Sequence, residues 1–169
     1  MSTLGWIHTI FGLAALAAGT AVIFTRKGTH WHRMVGRVYL GNMLALNITA
    51  LFIYRLYGRF GPFHWMALGS LLTLIIGIVP VFTRRPKGGW LTVHASFING
   101  SFVGLVAATA AEITSRIPGT EDHFGLVVGL TSALVIGIGA MLIQRNLSKS
   151  LRRPPEPFKA VYHSKWEAS

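Results

Sequence analysis

Residues 27–39 read Lys27-Gly28-Thr29-His30-Trp31-His32-Arg33-Met34-Val35-Gly36-Arg37-Val38-Tyr39, and this run decides the fold. With Arg26 just ahead of it, four Lys/Arg residues and two histidines fall within twelve positions. Long apolar segments lie on either side. A run this basic faces water or headgroups while its neighbours do not, so it reads as a loop between two membrane-crossing helices.

Working outward, five segments meet the need for roughly 20 apolar residues per crossing. They run over about 4–25, 30–57, 63–83, 91–115 and 124–144. The expected fold is therefore an all-α integral membrane protein. Four helices form a core bundle with a fifth beside it, making one transmembrane domain over 1–144 and a basic tail over 145–169. Thr29 suits the N-cap of helix 2, and Pro80 is expected to kink the end of helix 3. The N-terminus has no basic segment ahead of its apolar run, so it reads as a first crossing rather than a cleaved signal.

Charge sets the orientation. Of 16 Lys and Arg residues, only Arg55, Arg59 and Arg116 fall in loops on the N-terminal side of the membrane. The rest gather in loops 26–37 and 84–87 and in the tail, which predicts the N-terminus outside and the C-terminus cytoplasmic, in a bacterial inner membrane. Trp6, Trp31, Trp65 and Trp90 all fall at expected helix ends, as an aromatic belt requires. A net charge of +11 is thereby assigned to topology and to anionic headgroups, not to nucleic acid. The absence of cysteine excludes disulfides, thiolate metal sites and covalently attached haem. No phosphate-binding glycine loop, Ser-His-Asp arrangement or H-E-x-x-H motif is present.

The histidines carry the remaining chemistry. His8, His64 and His123 open helices 1, 3 and 5 at the outer side; His30, His32 and His94 open helices 2 and 4 at the inner side. In an up-down bundle, helices 1 and 3 are diagonal partners, as are 2 and 4. The pairs His8/His64 and His32/His94 could then each hold a b-type haem through two imidazoles, one near each face, and carry electrons across. As an enzyme, such a protein is a membrane oxidoreductase with a redox partner. A second reading places zinc or copper at an outer site of His8, His64, His123 and Glu112, with Glu121 and Asp122 nearby. A third is a cofactor-free accessory subunit or homo-oligomer, its histidines serving only as amphipathic residues at the interface.

Gly100, Gly104, Ala108 and Glu112 recur every four residues and so share one helix face. A carboxylate on such a face is a functional candidate, and the competing role is an ion pair with Arg116 one turn on. Asn42, Asn47 and Asn99 are expected to make interhelical hydrogen bonds.

The pattern Lys27-Gly28-x-x-x-His32-Arg33-x-x-Gly36-Arg37-x-Tyr39 resembles the signature of a widespread bacterial family of predicted multi-pass membrane proteins, catalogued as a domain of unknown function. The likeness includes His8 and the run from His94 through Gly104 to Glu112, covering roughly residues 5 to 116. It implies a membrane fold and a shared pattern for His8, His32 and His94, and brings no activity. A looser likeness to four-helix diheme cytochromes b rests on histidine placement.

Overall fold

A computed structural model describes residues 2–54 and 58–152, and among them five α-helices and no strand. The helices are α1 (Thr3–Phe24), α2 (His30–Leu51), α3 (Pro62–Thr83), α4 (Trp90–Thr114) and α5 (Phe124–Arg152), with a single 3-10 turn (Glu121–His123) ahead of α5. α1 packs on α2, α2 on α3 and α3 on α4; α4 returns to α1 to close a ring, and α5 lies against the outside of α4. Large apolar side chains such as Ile10, Leu13, Leu72, Leu126 and Leu134 are exposed around the circumference. That is the inverse of a water-soluble surface and the pattern a lipid environment stabilises.

Four of the helices, all but α2, are long and apolar enough to cross a membrane. Of the five crossings expected from the sequence, four thus meet the requirement of length and hydropathy, and α2 falls short in hydropathy. α2 has the same 22 residues as α1 and α3. However, His30, His32, Arg33 and Arg37 occupy its first turns, and Asn42 and Asn47 its middle. Its buried stripe, Tyr39, Met43 and Asn47, repeats every four residues and faces the bundle.

The basic run owes its shape to four local bonds. Lys27 donates from Nζ to the carbonyls of Val22 (2.7 Å) and Ile23 (3.1 Å), capping α1 where its carbonyls lack donors. Partial burial in that position lowers its pKa below the ordinary lysine value. Gly28 turns the chain with φ +80°, a conformation a side chain would strain. Thr29 Oγ1 accepts from His32 N–H at 3.2 Å, the expected N-cap. Arg33 reaches back to the Gly28 carbonyl at 3.1 Å.

Two helix ends differ from the sequence expectation. α2 stops at Leu51 rather than 57, its last turn tightened by Phe52 N–H on Thr49 O and Ile53 N–H on Ala50 O. Ending there lets Tyr54 fold over His64, ring centroids 4.6 Å apart; residues 55–57 lie outside the described set. α5 continues past 144 to Arg152, because 145–152 contains neither proline nor glycine to break a helix. The basic tail over 145–169 is thus helical in its first eight residues, and the remainder lies outside the described residues.

The core holds Ala15, Ala18, Tyr39, Met43, Leu74 and Leu105. α1 meets α4 where Gly19 faces Phe102: a Cβ at Gly19 would run into that ring, so glycine permits the approach. Beside it, Tyr39 Oη lies 2.8 Å from Ser101 Oγ, joining α2 to α4 across the ring. α1 and α3 share no close backbone approach among the described residues.

Candidate functional site

Above that central closure the helices part around a cavity of about 1100 Å³, at the upper limit for small-molecule pockets. Met43, Leu105 and Ser101 line its floor, Gly100, Gly104 and Ala108 one wall, and Glu112 and Arg116 its rim. The stripe read from the sequence is therefore the α4 face that the cavity occupies. Glu112 carries the expected ion pair with Arg116, and it lies close enough to act electrostatically on His8.

His8 and His64 both line this cavity, from α1 and α3. His8 Nδ1 lies 3.0 Å from Thr49 Oγ1. The Thr49 hydroxyl hydrogen already serves the carbonyls of Ala45 and Leu46, at 2.8 and 2.9 Å. Thr49 must then accept, which puts the imidazole hydrogen of His8 on Nδ1 and leaves Nε2 with a free lone pair.

His64 is set the other way. Its Nδ1 accepts the Gly61 backbone N–H at 3.0 Å, so the neutral ring carries its hydrogen on Nε2. The ring is 3% exposed and lies between Tyr54 and Phe60, with centroids at 4.6 and 4.7 Å. Nε2 is buried and finds no partner among the described residues. A buried donor without an acceptor is costly, on the order of 1–3 kcal/mol.

At the basic end, His94 donates from Nδ1 to the Gly77 carbonyl of α3 at 2.8 Å. His94 Nε2 is left as a lone pair. His32 faces it from α2: its Nδ1 is buried without a partner among the described residues, and His94, Lys27 and Arg33 all act on it electrostatically. His30 is exposed at the start of α2, and His163 lies outside the described residues.

His123 sits exposed on the 3-10 turn and does not line the cavity. Among the described residues no three His, Asp or Glu side chains gather as a metal-binding group, so the outer set His8, His64, His123 and Glu112 is not brought together. Asn42 and Asn47 donate to the carbonyls of Val38 and Met43 in their own helix, at 2.8 and 2.7 Å, instead of crossing to another. Asn47 thereby keeps its side-chain oxygen as a spare acceptor at the cavity.

Sequence reading missed Thr49, Gly61 and Tyr54 as partners of the histidines. For Thr49 a signal existed: reflecting position 8 through Lys27, the centre of the α1–α2 loop, falls at Leu46, one turn from Thr49. No comparable signal pointed to Gly61 as the donor that fixes the His64 tautomer.

The model of a family described as a predicted membrane protein (DUF2306) matches residues 5–150, which takes in α5 as well as the stretch whose motifs were legible. No solved structure matches the chain.

Proposed function

The chain belongs to the DUF2306 family of predicted membrane proteins, and from that premise we propose that it is a multi-pass electron carrier of the bacterial inner membrane using b-type haem. In this reading all five helices cross, with the N-terminus outside and the C-terminus in the cytoplasm. The basic residues of loops 26–37 and 84–87 share one end of the bundle, as a cytoplasmic face against anionic headgroups requires. α2 crosses despite its polarity. It runs the full length of α1, from the Lys27 cap at one end to the His8–Thr49 bond at the other.

An axial imidazole needs a lone pair toward the iron and gains basicity when its other nitrogen donates a hydrogen bond. His94 meets both conditions through Gly77, and this bond is the observation that carries the proposal. His32 lies within electrostatic range of it on the diagonal helix, with a ring nitrogen that has no partner among the described residues. Lys27 and Arg33 provide the cationic surroundings that the two carboxylates of a haem would need. At the outer end His8 fits the requirement, whereas His64, with hydrogen on Nε2, does not. The proposal therefore retains His32 and His94 as the ligand pair and makes no use of His8/His64 as one. When bound, haem would supply one-electron storage at that position. The protein's part is to fix the two rings, exclude water and surround the site with positive charge, which favours the reduced state.

The test is the absorption spectrum of protein expressed with ample haem. A Soret band that is lost in His94→Ala and in His32→Ala, and kept in His8→Ala, is the expected result. A purified, folded protein without a Soret band overturns the proposal.

A further inference from the structure

The outer cavity is equipped for something other than a metal. Its two histidines present opposite hydrogen-bonding characters: an acceptor lone pair on His8 Nε2, and a buried donor on His64 Nε2 that has no partner among the described residues. A ligand that satisfies both must offer an acceptor and a donor at once. The two side chains also stand on helices that do not approach each other. A carboxylic acid, with both oxygens on one carbon, is poorly shaped to span them; a ring with oxygens at opposite ends is suited to it. Charge narrows the class further. Glu112 and Arg116 neutralise each other as an ion pair at the rim, so the cavity offers no net charge there and suits a neutral head. The rest of the lining is mainly apolar, with Leu13, Leu16, Met43 and Ala67 among it, which suits a molecule delivered from the bilayer.

We propose that this cavity binds a membrane-soluble quinone in its reduced, quinol form. One ring oxygen accepts from His64 Nε2–H, and the opposite one, as a hydroxyl, donates to His8 Nε2. Tyr54 and Phe60 hold the His64 ring in place from both faces, and Thr49 holds His8. The floor formed by Met43, Leu105 and Ser101 sets how deep the ring can enter. Quinone binding stands on the cavity alone. Its meaning as the redox partner of the cytoplasmic-end haem rests on the preceding proposal.

The experiment uses the full chain in lipid nanodiscs, titrated with decylubiquinone in oxidised and reduced forms and followed by intrinsic tryptophan fluorescence. Saturable binding of the reduced form is expected, weakened about tenfold or more by His64→Leu and by His8→Ala, since each leaves a polar group unpaired. Because His64→Leu also removes the Gly61 contact, Gly104→Leu serves as a second variant. A Cβ at Gly104 meets nothing within 4 Å and Gly104 lines the cavity, so a larger side chain there projects into the space the ring would occupy. It is expected to abolish binding while the protein stays folded. His94→Ala is expected to bind quinone normally and to lose only the Soret band. Unsaturable quenching, affinity indifferent to all three cavity variants, or saturable binding of oleic acid in place of quinone overturns the proposal. Saturable quinone binding by a protein with no Soret band overturns the haem reading and leaves this one standing.

Discussion

Tyr39 Oη donates to Ser101 Oγ at 2.8 Å, because Ser101 has already given its own hydrogen to the Ile98 carbonyl at 2.8 Å. This one-way bond links the last residue of the basic signature to the middle of α4. It also separates the two halves of the molecule: the cavity with His8 and His64 lies above it, and the His32/His94 end below. The signature tyrosine is thus a structural partition, 2% exposed, whose hydroxyl has a designated acceptor.

The direction of that bond makes the two truncations unequal. Tyr39→Phe leaves Ser101 bonded to Ile98 and should cost about 1 kcal/mol. Ser101→Ala strands a buried phenol donor and should cost roughly 1–3 kcal/mol. The double variant should recover part of the Ser101→Ala loss. Unfolding midpoints in detergent for the four proteins measure this cycle; equal losses for the two single variants would contradict the assigned donor.

Two glycines of the same signature should respond in opposite directions. Gly28→Ala forces a side chain into left-handed backbone and should destabilise by about 1–2 kcal/mol. Gly36 lies within α2 and a Cβ there meets nothing within 4 Å, so Gly36→Ala should stabilise by roughly 0.5–1 kcal/mol. Thermal midpoints of the two variants settle the signs. A destabilised Gly36→Ala would mean that α2 meets another surface at that point, such as a second copy of the chain.

What the sequence made legible were features that one helix decides by itself. Thr29 as an N-cap, the ion pair of Glu112 with Arg116 and the common face of Gly100, Gly104, Ala108 and Glu112 need only local spacing, and each is present. The outcome for Asn42 and Asn47 was not legible. Whether a side-chain amide bonds its own helix or another depends on whether a partner stands opposite, and here the i−4 carbonyl wins. The histidine tautomers lay further out of reach. His8 and His64 look alike in sequence, each near the outer end of an apolar run. They become opposites only through Thr49 and Gly61, one of them 41 residues away.

Gly19 keeps α1 and α4 together below the cavity. Gly19→Ala places a methyl against a ring that Tyr39 already braces edge-on, centroids 6.4 Å apart, so the ring has little room to yield. A loss of about 1–3 kcal/mol is expected from overpacking. Phe102→Leu in the same chain should restore part of it. The measurement is the stability of both single variants and the double; additive losses would show that the two residues do not share the contact.

The orientation has a direct chemical test, because the chain contains no cysteine and any introduced thiol reports alone. Thr3→Cys stands at the start of α1, and Lys87→Cys in the basic loop between α3 and α4. Both positions are exposed, so reagent access depends on membrane side and not on packing. In intact cells, a charged thiol reagent that cannot cross the inner membrane should label Thr3→Cys at once and Lys87→Cys only after the membrane is opened. The reverse order would invert the topology and place the His32/His94 end outside. Labelling of both in intact cells would mean that the chain between them crosses an even number of times, so that one of the first three helices, with α2 the most polar candidate, fails to cross.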